Sequence, residues 1–118
     1  MKALMNPSSS SCAIGADVHT YTDWQEMLEK EKPALVAIAT WSGEHARIAL
    51  DCIEAGCNVI IEKPVALSLS DADRLIEAAK RRGVVACVNH QNRFNRAVAA
   101  TRRELEAGHF GKLVRGAI

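Results

Sequence analysis

Three continuous apolar runs, each followed by a helix-length amphipathic stretch, constrain this chain more than any other feature. The runs are ALVAIAT (Ala34–Thr40), NVII (Asn58–Ile61) and VVACV (Val84–Val88). Each has strand length and, apart from Asn58 and Thr40 at the ends, is continuously apolar rather than alternating, which is the pattern of a strand buried on both faces. Such strands, separated by helices, predict an α/β fold with a parallel sheet covered by helices on both faces.

The helical stretches carry their own punctuation. TDWQEMLEKEKP places Gln25 three residues after Thr22, a capping-box spacing, and Pro33 should end that helix. Trp24, Met27 and Leu28 share one face. In SGEHARIALDCIEAG, Ser42 is the expected cap and Glu44 suits the positive helix start. Ala46, Ala49, Leu50 and Ile53 form its apolar stripe, and Gly56 sits at the left-handed stop. SDADRLIEAAKRRG repeats the scheme: Ser70 caps, Lys80 to Arg82 occupy the last turn, and Gly83 stops it. Its expected stripe is Ala72, Leu75, Ile76 and Ala79. NRAVAATRRELEAG reads as a further helix ending at Gly108, and KLVRGAI as the start of another strand.

At 118 residues the chain suits one small domain. Its net charge of +1 offers no general field for nucleic acid or a membrane surface, so neither partner is expected. No apolar run approaches a bilayer's thickness. The start, MKALMNPSSSSCAIG, lacks the apolar core of a signal peptide, and a cytoplasmic location is expected. Cys12, Cys52, Cys57 and Cys87 show neither zinc-knuckle nor CxxC spacing. They read as small buried hydrophobes of a reducing compartment, with no metal site.

In open α/β sheets ligands bind outside the carboxyl ends of the strands. After the first run come Thr40, Trp41 and Ser42, then His45. After the second come Glu62, Lys63 and Pro64. After the third comes NHQNRFN, Asn89 to Asn95. All three polar clusters are expected on one edge. Each has a plainer reading. Ser42 can be a cap alone, and His45 a partly exposed surface histidine. Glu62 and Lys63 can be a solvated ion pair worth about 0–1 kcal/mol, and NHQNRFN a solvated turn. Adjacent strand residues point to opposite faces, however, so Glu62 and Lys63 need not pair. A strand-end lysine is expected to be partly desolvated, which favours its neutral form and suits proton exchange. Pro64 fixes its own φ and restricts Lys63. A cis bond before Pro64 is the less common form.

The segment from Tyr21 to Asn95, above all AGCNVIIEKPVALS, resembles the Gfo/Idh/MocA oxidoreductase family, whose members carry an AG..V..EKP segment. H..IAL upstream and EAGHFGK downstream extend the likeness over Gly15–Ile118. VNHQNRFN is most similar to the branch acting on nucleotide-linked sugars. The resemblance implies an NAD(P)-binding Rossmann domain followed by an α/β substrate domain, and hydride transfer at a sugar, nucleotide-sugar or cyclitol carbon. It implies Lys63 as the catalytic lysine. It implies Thr40, Trp41, His45, Glu62, Lys63, Pro64, Gln91, Asn92 and Arg93 as residues around NAD or NADP. Relatives often carry proline where Trp41 stands. The full-length form is expected to be a homo-oligomer.

The same resemblance exposes gaps. The sequence has no G-x-G-x-x-G, so the backbone turn that would hold the pyrophosphate is missing. The expected organisation is a disordered or unrelated leader at 1–14 and an incomplete Rossmann domain at 15–108. A truncated start of the substrate domain would follow at 109–118. The sheet is expected to lack its first two strands, which in the order 3-2-1-4-5-6 lie in its middle. The chain alone is then expected to be inactive, a fragment of an oxidoreductase. The alternatives are a non-catalytic remnant or interaction module of the same fold, and a flavodoxin-like regulator. The last lacks the clustered early acidic residues of a phospho-receiver.

Overall fold

The computed structural model describes residues 3–5, 18–112 and 114–115. Its elements run β1 (Ala3–Met5), β2 (His19–Tyr21), α1 (Trp24–Glu31), β3 (Leu35–Ile38), α2 (His45–Glu54), β4 (Asn58–Glu62), α3 (Leu69–Arg82) and β5 (Ala86–Asn89). A 3-10 helix (Gln91–Phe94) and α4 (Arg96–Glu106) follow. β3, β4 and β5 form a parallel sheet in that order, and β1 and β2 form a separate parallel pair. The fold class is α/β, as expected.

Helices α2 and α3 pack on one face of the three-stranded sheet and on each other. Ile38, Val59 and Ile61 point into that layer, against Ile48, Ala49, Cys52 and Ile53 of α2 and Leu75, Ala78 and Ala79 of α3. Ile53, Val59 and Ile61 are essentially inaccessible, and each such side chain contributes roughly 1.5–3 kcal/mol. The opposite face differs from expectation. Ala37, Ile60 and Cys87 stand in one cross-strand row and all three are exposed, so helices cover one face only among the described residues. Continuous apolar runs signalled two-sided burial, but no described element supplies the second layer.

Helix α1 joins the two sheets by packing against β1, β2 and α2. Its Trp24 indole donates to Asp51 Oδ2 at 2.9 Å, and the Arg47 guanidinium lies 4.5 Å over the ring. The caps shift from their expected positions. Asp23, not Thr22, caps α1 by accepting from the N–H groups of Gln25 and Glu26. Ser68, not Ser70, caps α3 through Asp71 N–H, which starts that helix two residues earlier. Ser42 caps nothing, because α2 begins at His45 after a tight turn. In α3, Ala78 takes the buried place expected for Ile76, which is 52% exposed. Gly56 and Gly83 adopt positive φ, as their stops require.

Ala3–Met5 departs from the reading of 1–14 as a leader. It pairs with His19–Tyr21 in parallel, so β2 does not stand alone. A three-residue strand followed by Asn-Pro carries no periodicity; pairing alone defines it. The rest of that leader, and Cys12, lie outside the described residues. So do Leu113 and residues 116–118 of the expected final strand, and Val114 and Arg115 have no regular structure. No helix among the described residues is long and apolar enough to cross a membrane.

Candidate active site

The parallel register brings the three strand ends to one edge. Ile38 lies beside Ile61, and Glu62 beside Asn89. The segments that follow them, Thr40–Ser42, Lys63–Pro64 and His90–Arg93, leave the sheet on the same side.

Glu62 is half-buried and committed. Its Oε1 accepts from Asn89 Nδ2 at 2.6 Å, and its Oε2 from the Lys63 N–H at 3.3 Å. The carboxylate therefore ties the end of β4 to the end of β5. Lys63 is exposed, and no ion pair among the described residues joins its ammonium to Glu62. The two charges act separately because successive strand side chains diverge. The desolvation expected around Lys63 is not supplied by the described residues, since water reaches it freely. The Lys63–Pro64 bond is cis, the less common form.

His45 is 1% exposed, at the start of α2. Its Nδ1 lies 2.7 Å from Pro64 O and its Nε2 3.0 Å from Thr40 O. It thus joins the turn after β3 to the turn after β4 and offers no free ring nitrogen to a ligand. Thr40 Oγ1 is buried with no partner. Trp41 is 83% exposed, and its carbonyl accepts from Glu44 N–H at 2.9 Å. Leu67 lies 3.9 Å from the position of a Cβ on Gly43, so the loop after Pro64 closes against the loop after Trp41. Gln91, Asn92 and Arg93 occupy the exposed 3-10 helix, fixed by Arg93 N–H to His90 O and Asn95 N–H to Asn92 O, both 3.0 Å.

Asn89 is the residue that the sequence did not single out by role. Its pairing with Glu62 becomes visible only once the register is known. Cys87 is exposed, against the expectation of a buried thiol, because it faces the uncovered side of the sheet. Cys52 and Cys57 are buried, and burial pushes the Cys52 thiol up to about 12 and that of Cys57 upward. Among the described residues no three His, Cys, Asp or Glu side chains gather in a metal-binding group. A separate open groove, lined by His19, Tyr21, Glu26 and Lys30 among others, lies at β2 and α1, not at the strand ends.

An exposed ammonium, an exposed indole and amide side chains are groups able to meet the carboxamide and ribose end of a dinucleotide, whereas the Thr40 hydroxyl is buried. The pyrophosphate end finds no glycine-rich turn in these 118 residues. A parallel α/β sheet with polar loops at its carboxyl edge is of the doubly wound class, which binds ligands, dinucleotides among them, at that edge. Residues 3–90 match the Gfo/Idh/MocA family, described as an oxidoreductase family with an NAD-binding Rossmann fold, and the chain belongs to it.

Similar curated proteins include the myo-inositol 2-dehydrogenase of Thermotoga maritima, 30% identical over 92 residues, 78% of this chain and 28% of that protein. The scyllo-inositol 2-dehydrogenase (NAD(+)) of Bacillus subtilis is 33% identical over 90 residues, 76% and 26% of the two chains. Among solved structures, myo-inositol 2-dehydrogenase from Lactobacillus plantarum shares the fold with a TM-score of 0.85 at 20% identity, over 97% of this chain and 35% of that one. The WlbA dehydrogenase from Bordetella pertussis, in complex with NADH and UDP-GlcNAcA, has a TM-score of 0.75 at 30% identity, over 80% and 28%. The chain spans under a third of the length of these curated relatives.

Proposed function

We propose that the strand-end cluster is the nicotinamide-side part of an NAD(P)-dependent oxidoreductase acting on a hydroxyl or ketone of a sugar, nucleotide sugar or cyclitol. The observation that carries this reading is the placement of Lys63. It is exposed at the carboxyl edge, between the Thr40–Ser42 loop and the Gln91–Arg93 helix, with its neighbour Glu62 already occupied by Asn89. A nicotinamide, when bound, supplies the hydride acceptor or donor. Lys63 then exchanges a proton with the substrate oxygen, or hydrogen-bonds it, as carbon–hydrogen bonding changes. The desolvation that a proton-exchanging lysine needs comes from whatever covers this edge in the full-length protein.

Thr40, Trp41, Gln91, Asn92 and Arg93 are read as the cofactor's lining, and Glu62, Pro64 and His45 as the frame that holds Lys63 in place. The likeness to dehydrogenases named for inositols and to one solved with NADH and UDP-GlcNAcA supports this class of substrate. Residues 3–108, which include the strand Ala3–Met5, are then the cofactor-domain segment, and residues 109–118 the lead into a substrate domain.

The alternative, a non-catalytic module of the same fold, draws on one observation, the absence of a G-x-G-x-x-G turn. The two readings part on Lys63→Ala in a full-length protein carrying this segment. The oxidoreductase reading expects kcat to fall about 100-fold or more, with the cofactor KM changed less than about threefold. An unchanged kcat removes Lys63 from the mechanism.

A further inference from the structure

Two sheets share one layer of helices in this fold, yet no ladder joins them among the described residues. β1 pairs with β2, and β3 pairs with β4. Helix α1 packs on β1, β2 and α2, and α2 packs on β3. Tyr21 of β2 and Trp24 of α1 rest against the same core as Ile38 of β3. The sheets therefore lie side by side under common helices.

The width of the gap between them follows from strand order. A doubly wound sheet runs 3-2-1-4-5-6. All five strands fall within the matched Rossmann segment, residues 3–90. β3, β4 and β5 are neighbours in that order, as the last three strands of such a sheet are. β2 leads through α1 into β3, and β1 lies beside β2. β1 and β2 then take the second and third places, and a single strand separates β1 from β3.

The edge of β3 is ready for one. Asn58 N–H donates to Ala34 O at 3.1 Å and Val59 N–H to Val85 O at 2.9 Å, so successive residues of β4 turn alternately to β3 and β5. By the same alternation Ala34, Val36 and Ile38 serve β4, and the N–H and C=O groups of Leu35 and Ala37 point to the open side. Both residues are exposed. Strand edges are normally blunted by charge, proline or a bulge. ALVAIA and ALM carry neither charge nor proline, and the β3–β4 register runs without a bulge.

We propose that the gap between β1 and β3 is a docking slot for one extended, uncharged segment of a second polypeptide, added as a parallel strand bonded on both sides. The slot continues two existing ladders, so main-chain hydrogen bonds hold the occupant and fix its direction. One side of the added strand meets the α1–α2 layer and the other extends the apolar row Ala37, Ile60 and Cys87, which is why the segment is uncharged. It must be free on both edges. Each described strand of this chain already has a partner, so a second copy does not fit. The slot is independent of the oxidoreductase reading. Its relation to that reading is one of place: a parallel strand here ends beside Thr40 and Lys63.

The test titrates the 15N-labelled 118-residue chain with the synthetic peptide KKVVIVGAGKK, whose four central apolar residues form the strand and whose lysines keep it soluble. Amide shifts are expected at Leu35 and Ala37 and at Ala3–Met5 together. Shifts at Leu35 and Ala37 alone mean addition to one edge, and shifts centred on Ile60 and Cys87 mean a seat on the bare sheet face. Either result overturns the slot, as does no binding by about 1 mM peptide. Two further peptides carry an N-methyl group on the second or the third strand residue, which removes donors from opposite edges. Each should bind about tenfold more weakly than the parent. A methylated peptide that binds as tightly as the parent leaves one edge unbonded and refutes two-sided docking. Concentration-dependent broadening at Leu35 and Ala37 without peptide shows a second copy on that edge and refutes it too.

Discussion

Replacing Asn58 by alanine should loosen the sheet at its start, far from the proposed site. Asn58 is the first residue of the central strand β4, and its side chain reaches both neighbours. Nδ2 donates to Ala34 O at 2.9 Å, just before β3, and Oδ1 accepts from Val85 N–H at 2.9 Å, just before β5. The two losses differ. Ala34 O keeps a second donor, the backbone N–H of Asn58 at 3.1 Å, so that side loses one ordinary bond, about 1 kcal/mol. Val85 N–H loses its side-chain acceptor, but Val85 is 66% exposed, so water replaces it in part, again leaving about 1 kcal/mol. The sum is about 2 kcal/mol, read as a fall in urea-unfolding free energy or a drop of about 8 °C in Tm. Asn58→Asp separates the halves: it keeps the acceptor for Val85 N–H and, when ionised, loses the donor to Ala34 O. Its deficit should shrink as pH falls through the carboxyl range, because the protonated acid regains a donor. A loss below about 0.5 kcal/mol for the alanine protein would mean that water substitutes fully, and the bridging argument would fail.

Tyr21 is the one tyrosine of the chain, so its ionisation can be followed at 295 nm without ambiguity. Its hydroxyl donates to Glu31 Oε1 at 2.5 Å, and this bond, with the carboxylate's charge, raises its pKa to about 12. Because the folded value is raised, the stabilisation is complete below the unfolded value near 10 and is lost as pH climbs toward 12; an absorbance midpoint near 10 would refute the bond. In a Cys12→Ser background, Cys87 should react with a thiol reagent in the folded protein while Cys52 and Cys57 react only on unfolding, since burial both shields them and disfavours their thiolates. Rapid labelling of all three without denaturant would contradict the packing of α2 on β4.

The order of elements was legible because each signal is local. Apolar runs mark β3, β4 and β5, and positive-φ glycines at Gly56 and Gly83 mark helix ends. The caps were misplaced for a physical reason: TDWQ and SLSD each offer more than one residue able to accept an N–H. Only the entry angle of the chain selects Asp23 and Ser68. β1 was unreadable because three residues gain strand character from a partner rather than from a pattern. At the site, the sequence located the strand-end edge through Glu62, Lys63 and the clusters beside them. It did not reveal that Asn89 occupies Glu62 or that His45 spends both ring nitrogens on backbone carbonyls. Those are facts of register and loop closure, and they change His45 from a ligand-facing residue into part of the frame.

The central claim, that this edge is the nicotinamide side of a dinucleotide site, is tested most directly by titrating the 15N-labelled chain with nicotinamide mononucleotide at millimolar concentration. This ligand carries the nicotinamide ribose and one phosphate but does not need the absent pyrophosphate turn. The account predicts amide shifts confined to Thr40–Ser42, Glu62–Lys63 and Gln91–Arg93, all reduced by Lys63→Ala. Shifts centred on the His19–Lys30 groove, or none at these strand ends, would contradict it.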